Sequence, residues 1–238
     1  MSVRTGKAGA TPAGGASMKL VDLHTHSLLS DGLYLPMELA RRAECRGYRW
    51  LAITDHVDAS NLERVIPEVL KAAAEINRRS AGFRVIPGAE VTHAPAGSIA
   101  GLVDAARRLG ARLVLVHGET LAEPVVPGTN RAAIEAGPDI LAHPGLIDAA
   151  DYRRAAEKGV RLEISARKGH CLANGHLVQL WRRHGGRLVI DTDGHQEDDL
   201  FTEARYLGVG RGAGLTEPEV RAILKESLAF AAGRDKTA

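Results

Sequence analysis

The sequence predicts an α/β fold in which a parallel β-sheet is covered by helices. From about residue 19 to the end, seven short apolar runs of strand length alternate with segments of helical periodicity. These runs are continuously apolar, which is typical of parallel strands buried on both faces. Histidines and carboxylates recur just after the runs. This pattern favours a closed barrel over an open sheet, because a barrel gathers residues from every strand end at one face.

The composition indicates an ordinary globular domain. The chain has 238 residues, of which 45% are hydrophobic and 25% charged. Only 4% are aromatic and the net charge of +2 comes from scattered residues, so we expect no stable nucleic-acid partner. No apolar run is long enough to span a bilayer, which predicts no membrane partner. Cys45 and Cys171 fit no metal or redox spacing, and we expect free thiols in a cytoplasmic protein.

Two regions are predicted along the chain. Residues 1–17 are rich in glycine, alanine, serine and threonine and contain no apolar signal-peptide core. We therefore expect a flexible leader, with Met18 as an alternative start. Residues 18–238 are predicted to form a single barrel domain.

The predicted elements follow in order, and several have recognisable ends. Strands are expected at residues 20–23, 50–54, 83–86 with an extension towards residue 90, 112–116, 140–142, 160–164 and 187–190. Helices are expected at residues 35–46, 62–76, 99–109, 131–136, 149–158, 176–183, 197–207 and from 217 onward. Gly47 would end the first helix, and Pro67 would kink the second or mark its start. Thr216 and Glu219 form a capping box before the last helix.

The clearest motif follows the first strand. His24 and His26 alternate, so both imidazoles can point to the same side of an extended chain, and neutral imidazole is a common ligand of zinc, iron or manganese. Asp31 adds a carboxylate just before Gly32, which allows a tight turn. Taken alone, the pair could equally be two surface histidines.

The other strand ends decide between these alternatives. Six of the ten histidines and several carboxylates lie at or just past a predicted strand end; the nine candidate metal ligands are His24, His26, Asp31, His56, Glu90, His117, His143, Asp193 and His195. Any one of them alone would more often be a structural loop residue. Packed together they would repel one another or take up protons, and divalent cations remove that conflict. The set therefore predicts a multinuclear metal site.

The motifs that carry these residues resemble those of the PHP (polymerase and histidinol phosphatase) superfamily. They are His24-Thr25-His26, Ser30-Asp31-Gly32, Thr54-Asp55-His56, Gly88-Ala89-Glu90, Val116-His117-Gly118, Ala142-His143-Pro144 and Asp191-Thr192-Asp193-Gly194-His195. The resemblance covers residues 19–195 in the family's order. It implies a distorted seven-stranded (β/α)7 TIM-like barrel with a trinuclear metal centre and phosphoesterase activity.

The resemblance also implies how the ligands are shared among three divalent transition-metal ions, which could be Zn, Mn or Fe. One ion would be held by His24, His26, Glu90 and Asp193. A second would share Glu90 with His117 and His143, and a third would be held by Asp31, His56 and His195. Asp55 would orient a ligand or would be a simple structural cap, and the sequence leaves both open.

Such a site suits phosphate ester hydrolysis. Two cations about 3.5–4 Å apart generate a bridging hydroxide near neutral pH and neutralise charge on the attacked phosphoryl group. We therefore predict catalytic roles for Glu90, Asp193 and His195. The short chain resembles stand-alone histidinol-phosphatase-like members, which implies a small phosphate monoester as substrate. A nucleoside monophosphate or a short oligonucleotide is also compatible.

Substrate contacts are expected from the loop after the sixth predicted strand. Arg167, Lys168 and His170 would bind the phosphate there, with Arg167 as a bidentate clamp. The alternative is a solvated basic loop. His93 and Glu119 could be plain loop residues, and His176 and His184 are expected to be structural or at the surface.

Two other classes of protein remain as rivals. A metal-dependent amidohydrolase also uses His-x-His after its first strand, although it usually has an eighth strand and a single terminal aspartate. The other rival is a barrel that binds metal only for stability. The nearly complete ligand set argues against the second of these.

Overall fold

Seven strands form one parallel sheet that closes almost completely on itself, and an eighth, short strand (β3, His56–Val57) pairs with it beside this path. The computed structural model describes residues 18–235, so the predicted leader of residues 1–17 lies outside the described residues. The strands are β1 (Leu20–Asp22), β2 (Tyr48–Ile53), β3 (His56–Val57), β4 (Arg84–Val91), β5 (Leu113–His117), β6 (Ile140–Ala142), β7 (Arg161–Ser165) and β8 (Leu188–Asp191). They pair in the order β1-β2-β4-β5-β6-β7-β8, and every pair is parallel.

Two local features complete the barrel. The short strand β3 also pairs with β4, where it continues the line of β2 beyond a break at Thr54 and Asp55. An isolated parallel bridge joins Thr25 to Gly194, and the amide of His26 donates to the carbonyl of Gly194 at 2.8 Å. This bridge brings the ends of β1 and β8 together. The predicted seven-stranded barrel is therefore confirmed.

Eight helices surround the sheet in the described residues. They are α1 (Pro36–Cys45), α2 (Leu62–Arg79), α3 (Ala96–Arg108), α4 (Thr129–Ala136), α5 (Ala149–Lys158), α6 (Asn174–His184), α7 (Glu203–Gly212) and α8 (Glu217–Asp235). The strands and the inner helix faces form one hydrophobic core. Helix α2 runs through Pro67, so this proline does not mark its start. No helix among residues 18–235 combines the length and apolar character that a membrane span requires.

The helix predicted at residues 197–207 is wrong in its extent. The structure has a short 3₁₀ helix at Glu197–Asp199, and α7 begins only at Glu203. The backbone is extended at Leu200 (ψ 139°), and Leu200 and Phe201 are buried between the two helices, so the chain enters the core here and does not continue as one surface helix. Thr202 then caps α7, because its hydroxyl accepts the amide of Arg205 at 3.2 Å.

Arginines line the end of the barrel where the strands begin. Five of them lie at or next to the first residue of a strand: Arg49, Arg84, Arg112, Arg161 and Arg187. Helix α8 packs at this end, since Asp235 pairs with Arg84 at 2.9 Å and the guanidinium of Arg161 lies 3.5 Å above the ring of Phe230. The capping box of α8 is confirmed, with the amide of Thr216 donating to Glu219 at 2.6 Å.

Candidate metal centre

The opposite end of the barrel, where the strands end, holds all nine predicted metal ligands. Thr25 explains how the first two reach it: its hydroxyl donates to the carbonyl of Ala52 at 2.6 Å, so Thr25 points away and its neighbours His24 and His26 point inward. Most of the nine are buried, and only Asp31 and His56 are partly exposed. Candidate ligand atoms within 4.8 Å of one another form the groups His24–His26–Asp193, His24–Glu90–His143 and His26–Asp31–His56–His195.

Glu90 lies at the centre of the cluster, and its two oxygens face different histidines. Oε2 is 3.3 Å from Nε2 of His24 and 3.7 Å from Nε2 of His26. Oε1 is 3.3 Å from Nδ1 of His117 and 3.6 Å from Nε2 of His143. A carboxylate that bridges two cations needs this division of its oxygens between two ligand pairs. The predicted bridging role therefore has a suitable geometry.

Asp193 is positioned beside the same two pairs. Its Oδ1 is 3.3 Å from Nε2 of His26, and its Oδ2 is 3.7 Å from Nε2 of His143. The backbone of Asp193 has a φ of 50°, in the left-handed region. Tight backbone geometry after β8 thus turns a buried carboxylate towards the barrel axis.

Asp31, His56 and His195 form the outermost group. The carboxylate of Asp31 lies 3.1 Å from Nε2 of His195 through one oxygen and 3.6 Å from Nε2 of His56 through the other. His56 also faces inward, because its Nδ1 is 2.8 Å from Oε2 of Glu90. This group lies nearest to solvent, since the side chain of Asp31 is 52% exposed.

Several buried polar atoms of the cluster have no hydrogen-bond partner among the described residues. They are Nε2 of His24, both ring nitrogens of His26 and His117, Nδ1 of His143 and Oε1 of Glu90. Buried polar groups are normally paired, because leaving one unpaired costs about 1–3 kcal/mol. Imidazole nitrogens and carboxylate oxygens that converge without partners suit divalent cations, and the donor set fits zinc, manganese or iron.

The charges within the cluster are strongly coupled. Burial alone would lower the pKa of His56, but Glu90 and Asp31 outweigh it and raise the pKa to about 10. His26 shows the opposite result, since burial and the neighbouring His56 lower its pKa to about 3. Burial would raise the pKa of Glu90, but the surrounding histidines hold it well below its usual range. Without cations, protons on some of the imidazoles balance the carboxylates.

Two carboxylates that sequence reasoning missed contact the candidate ligands. Oε2 of Glu163, on β7, is 2.9 Å from Nδ1 of His24. Oε2 of Glu123, on the loop after β5, is 3.2 Å from Nε2 of His117. A carboxylate between the apolar Leu162 and Ile164 of a predicted strand was a usable signal for Glu163, because such a residue is seldom buried without a partner. Nothing in the loop sequence distinguishes Glu123.

The structure answers the question left open for Asp55. Its carboxylate accepts hydrogen bonds at 2.7 Å from the amide and the hydroxyl of Ser27 and from the hydroxyl of Ser30. Asp55 thus organises the loop after β1. Because this loop carries Asp31, Asp55 supports a candidate ligand through the backbone and makes no direct contact with an imidazole in the described structure.

The three predicted substrate-binding residues occupy different positions. Nη1 of Arg167 lies 3.2 Å from the carbonyl oxygen of Asp193 and 2.8 Å from Nδ1 of His195, so Arg167 borders the cluster. Lys168 is exposed. His170 is buried, with Nε2 3.3 Å from Oε1 of Glu123, and burial together with His143 lowers its pKa to about 4.

The remaining candidates are mostly structural. Glu119 accepts the amides of Gly128 at 2.9 Å and Asn130 at 2.8 Å, and therefore ties a loop together. His176 hydrogen-bonds the carbonyl of Ile147 at 2.7 Å, as expected for a structural residue. His93 lies at the mouth, 2.9 Å from Glu123. A pocket of about 410 Å³ opens here, lined by Asp31, His56, Val57, Asp58, Asn61, Thr92, His93 and Glu123.

A parallel barrel with imidazole and carboxylate clusters at its strand ends is an architecture of metal-dependent hydrolases. Residues 22–158 match the PHP domain, and the chain therefore belongs to the PHP domain family, whose superfamily consists of metal-dependent phosphoesterases. MJ1295 of Methanocaldococcus jannaschii, an uncharacterized protein, is 42% identical over 204 residues, which cover 85% of this chain and 94% of that protein.

Two further relatives are larger proteins. The DNA polymerase/3'-5' exonuclease PolX of Bacillus subtilis is 28% identical over 75% of this chain, and the match spans 35% of PolX. The 5'-3' exoribonuclease of Haemophilus influenzae is 28% identical over 82% of this chain, and the match spans 59% of that enzyme. This chain therefore corresponds to only part of each of the two nucleases.

Solved structures share the fold at low sequence identity. A chain of archaeal ribonuclease P bound to mature tRNA has a TM-score of 0.67 at 17% identity and covers 90% of this chain and 91% of that one. Enamidase, of the amidohydrolase superfamily, has a TM-score of 0.62 at 16% identity over 91% of this chain and 68% of that one. At such identities the likeness shows the fold alone.

Proposed function

We propose that this protein is a metal-dependent phosphatase that hydrolyses a small phosphate monoester, as histidinol-phosphatase-like members of the family do. The observation that carries the proposal is the position of Glu90, whose two oxygens face two separate histidine pairs. Arg167 borders the same cluster through its contact with the carbonyl oxygen of Asp193. Membership of a phosphoesterase superfamily supports the same reaction class.

The proposed centre assigns the ligands as the family motifs do. His24, His26, Glu90 and Asp193 would hold one cation, Glu90 with His117 and His143 a second, and Asp31, His56 and His195 a third. When bound, such cations neutralise phosphoryl charge and activate water near neutral pH. The choice among zinc, manganese and iron is left to elemental analysis.

The protein's own residues would orient the substrate beside this centre. Arg167 is held by the carbonyl of Asp193, and only a third of its side chain is exposed, so little freedom is lost when its guanidinium binds a phosphate oxygen. Lys168 would contribute charge from the solvent side. His170 would be uncharged at neutral pH and would act as a hydrogen-bonding group.

The charge of the mouth supports a small substrate. In the described structure, the loops that connect each strand end to the next helix contain only two lysines or arginines, the adjacent Arg167 and Lys168. The same loops carry many carboxylates, namely Asp31, Asp55, Asp58, Glu119, Glu123, Asp148, Asp193, Glu197, Asp198 and Asp199. A polynucleotide needs cations spaced along its backbone, whereas one basic pair suits one phosphate group.

Two nuclease relatives favour a second candidate, hydrolysis of a nucleotide or a short oligonucleotide. Terminal cleavage would place one phosphodiester at the metal centre, and the rest of the strand would extend across the acidic mouth. This candidate therefore predicts only a weak dependence of activity on added salt, because strand binding would depend on few phosphate contacts and salt would screen the repulsion from the acidic surface.

A substrate panel distinguishes these possibilities. Metal-stripped protein, reconstituted separately with zinc, manganese and iron, is assayed on p-nitrophenyl phosphate, bis-p-nitrophenyl phosphate, histidinol phosphate, a sugar phosphate, a nucleoside monophosphate, an end-labelled oligonucleotide and an amide. We expect metal-dependent phosphate release from monoesters, with kcat/KM above that for the diester. Cleavage of the oligonucleotide without monoester turnover would favour the second candidate, and amide hydrolysis would favour the amidohydrolase alternative.

A further inference from the structure

Glu123 lies in front of three imidazoles at the mouth of the barrel. Its Oε2 is 3.2 Å from Nε2 of His117 and 2.9 Å from Nε2 of His93, and its Oε1 is 3.3 Å from Nε2 of His170. The family motifs do not include this residue. Its contact with His117 is the informative one, because the other nitrogen of that ring faces Glu90.

The loop that carries Glu123 is closed at its base by reciprocal hydrogen bonds. The side chain of Glu119 accepts the amides of Gly128 and Asn130, while the Asn130 side chain accepts the amide of Glu119 at 3.0 Å. The Asn130 amide group also donates to the carbonyl of Pro144 at 2.8 Å, which ties the loop to the one after β6. Residues 119–130 therefore form a loop ordered by its own hydrogen bonds, and this loop holds Glu123 over the candidate metal centre.

The chemistry of imidazole limits what His117 can do between two carboxylates. A neutral ring has one nitrogen that donates and one that accepts. If Nδ1 binds the cation shared with Glu90, Nε2 must carry the proton and can donate it to Glu123. Ligation of a second cation through Nε2 would require loss of both ring protons, which is far less favourable. Oε2 of Glu123, at 3.2 Å, lies within reach of this proton, although the aligned hydrogen bond is not formed in the described structure.

We propose that Glu123 is a positioning residue that fixes the tautomer and orientation of His117 and so sets the affinity of the cation shared by Glu90, His117 and His143. This inference rests on the proposed metal centre. Carboxylates in this position raise the basicity of the ligating ring, and their loss typically costs 10–100-fold in metal affinity. Since Glu123 belongs to a loop, retention of this one cation depends on the hydrogen bonds that hold the base of that loop together.

The test is a cation titration of metal-stripped protein against a competing chelator, with Zn²⁺ as the probe. Glu123→Ala should weaken one class of site about 10–100-fold and leave the other classes unchanged. Glu123→Gln retains an oxygen acceptor and should show a smaller loss. Glu119→Ala should weaken the same class, because it removes the acceptor of the Gly128 and Asn130 amides and loosens the loop. Glu157→Ala removes an exposed carboxylate from α5 and is the matched control, with wild-type binding expected.

A second measurement reads the tautomer directly. Long-range ¹H–¹⁵N NMR of the zinc-loaded protein should show a protonated, hydrogen-bonded Nε2 at His117. In Glu123→Ala this nitrogen should stay protonated, but its proton should lose the hydrogen-bonded shift and exchange faster with solvent, while circular dichroism remains that of the wild type. A merely structural role for Glu123 would leave the His117 signal in place and would overturn the inference.

The outcomes also separate this inference from the proposed function. Wild-type protein that takes up no cation would overturn both. Wild-type protein that takes up cations, with Glu123→Ala indistinguishable from it, would overturn only the role of Glu123. His93→Ala should retain every site. A loss as large as that of Glu123→Ala would mean that Glu123 and His93 form a cation site of their own, which contradicts the positioning role.

Discussion

Nδ1 of His24 lies 2.9 Å from Oε2 of Glu163, and both side chains are completely buried. Glu163 reaches this position from the middle of β7, whereas His24 follows β1, which lies beyond β8 from β7 around the barrel. The pair fixes the other nitrogen of the ring towards Glu90 and Asp193. A rigid strand therefore orients the first predicted ligand of the chain.

Replacement of Glu163 should affect both metal binding and stability. Glu163→Ala should weaken cation binding about 10–100-fold and lower the free energy of unfolding by about 1–3 kcal/mol, because a buried N–H of His24 loses its acceptor. Chelator competition and urea denaturation measure the two effects. Glu68→Ala, on the surface of α2, serves as the control. Wild-type values for both properties would contradict the orienting role of Glu163.

Glu90→Gln should abolish turnover while the fold survives. The substitution removes the negative charge between the two histidine pairs but keeps the size of the side chain, so we expect fewer bound ions and little change in circular dichroism. Elemental analysis and the monoester assay test this, with Glu157→Gln as the charge-matched control. Activity close to that of the wild type would remove Glu90 from the bridging role.

Arg167→Ala should raise KM for a monoester, lower kcat, or do both. A tenfold loss of kcat/KM corresponds to about 1.4 kcal/mol of transition-state binding. Lys168→Ala should have a smaller effect because Lys168 is exposed, and Arg153→Ala on α5 should have none. Steady-state kinetics at verified metal content provide the test. If Arg167→Ala and Lys168→Ala both behave like Arg153→Ala, the basic loop is exposed to solvent and does not bind the substrate.

Metal loading at pH 7 should release protons. In the metal-free protein, burial lowers the pKa of both His117 and His56, but neighbouring carboxylates outweigh it. Glu123 and Glu90 raise the pKa of His117 to about 9, and Glu90 and Asp31 raise that of His56 to about 10. Both rings are therefore protonated at pH 7, and a ligating ring must lose its proton. Zinc titration in weakly buffered solution should show release at pH 7 that disappears above about pH 10. Equal release at both pH values would contradict these shifts.

The same shifts predict how the stability of the metal-free protein depends on pH. Because the folded pKa values of His56 and His117 lie above the unfolded value of about 6.5, their contribution is complete below pH 6.5 and is lost as the pH rises through 9 to 10. Urea denaturation of stripped protein at pH 6.5 and 10 should show the decrease. Greater stability at pH 10 would contradict the ion pairs with the carboxylates.

Gly145→Ala should disturb the mouth, whereas Gly101→Ala should not. Gly145 has a φ of 60°, and a Cβ there would lie 1.9 Å from the carbonyl oxygen of Glu119, so the loop carrying Glu123 would have to move. A Cβ at Gly101, inside α3, meets nothing within 4 Å and should stabilise the protein by about 0.4–1 kcal/mol. Urea denaturation measures both, and a neutral Gly145→Ala would show that the loops are not in tight contact.

Sequence reasoning predicted the barrel and the convergence of the nine candidate ligands because both depend on local periodicity. His24 and His26 need only an extended chain, and the rest need only parallel strands that end at one face. Glu123 could not be found in this way, since its position depends on hydrogen bonds between Glu119 and Asn130 that close a loop. The break between residues 199 and 203 was missed because burial of Leu200 and Phe201 is a tertiary effect.

The two ends of the barrel carry opposite charge, although the net charge is only +2. Arginines surround the strand starts, and carboxylates dominate the loops at the strand ends. Such a molecule is an electric dipole directed along the barrel axis. In dilute salt, the acidic end of one molecule attracts the arginine-rich end of another. At 0.1 M salt this attraction is screened over a distance of about 10 Å. Cations bound at the mouth would shrink the dipole, so metal-free protein should self-associate more readily than loaded protein.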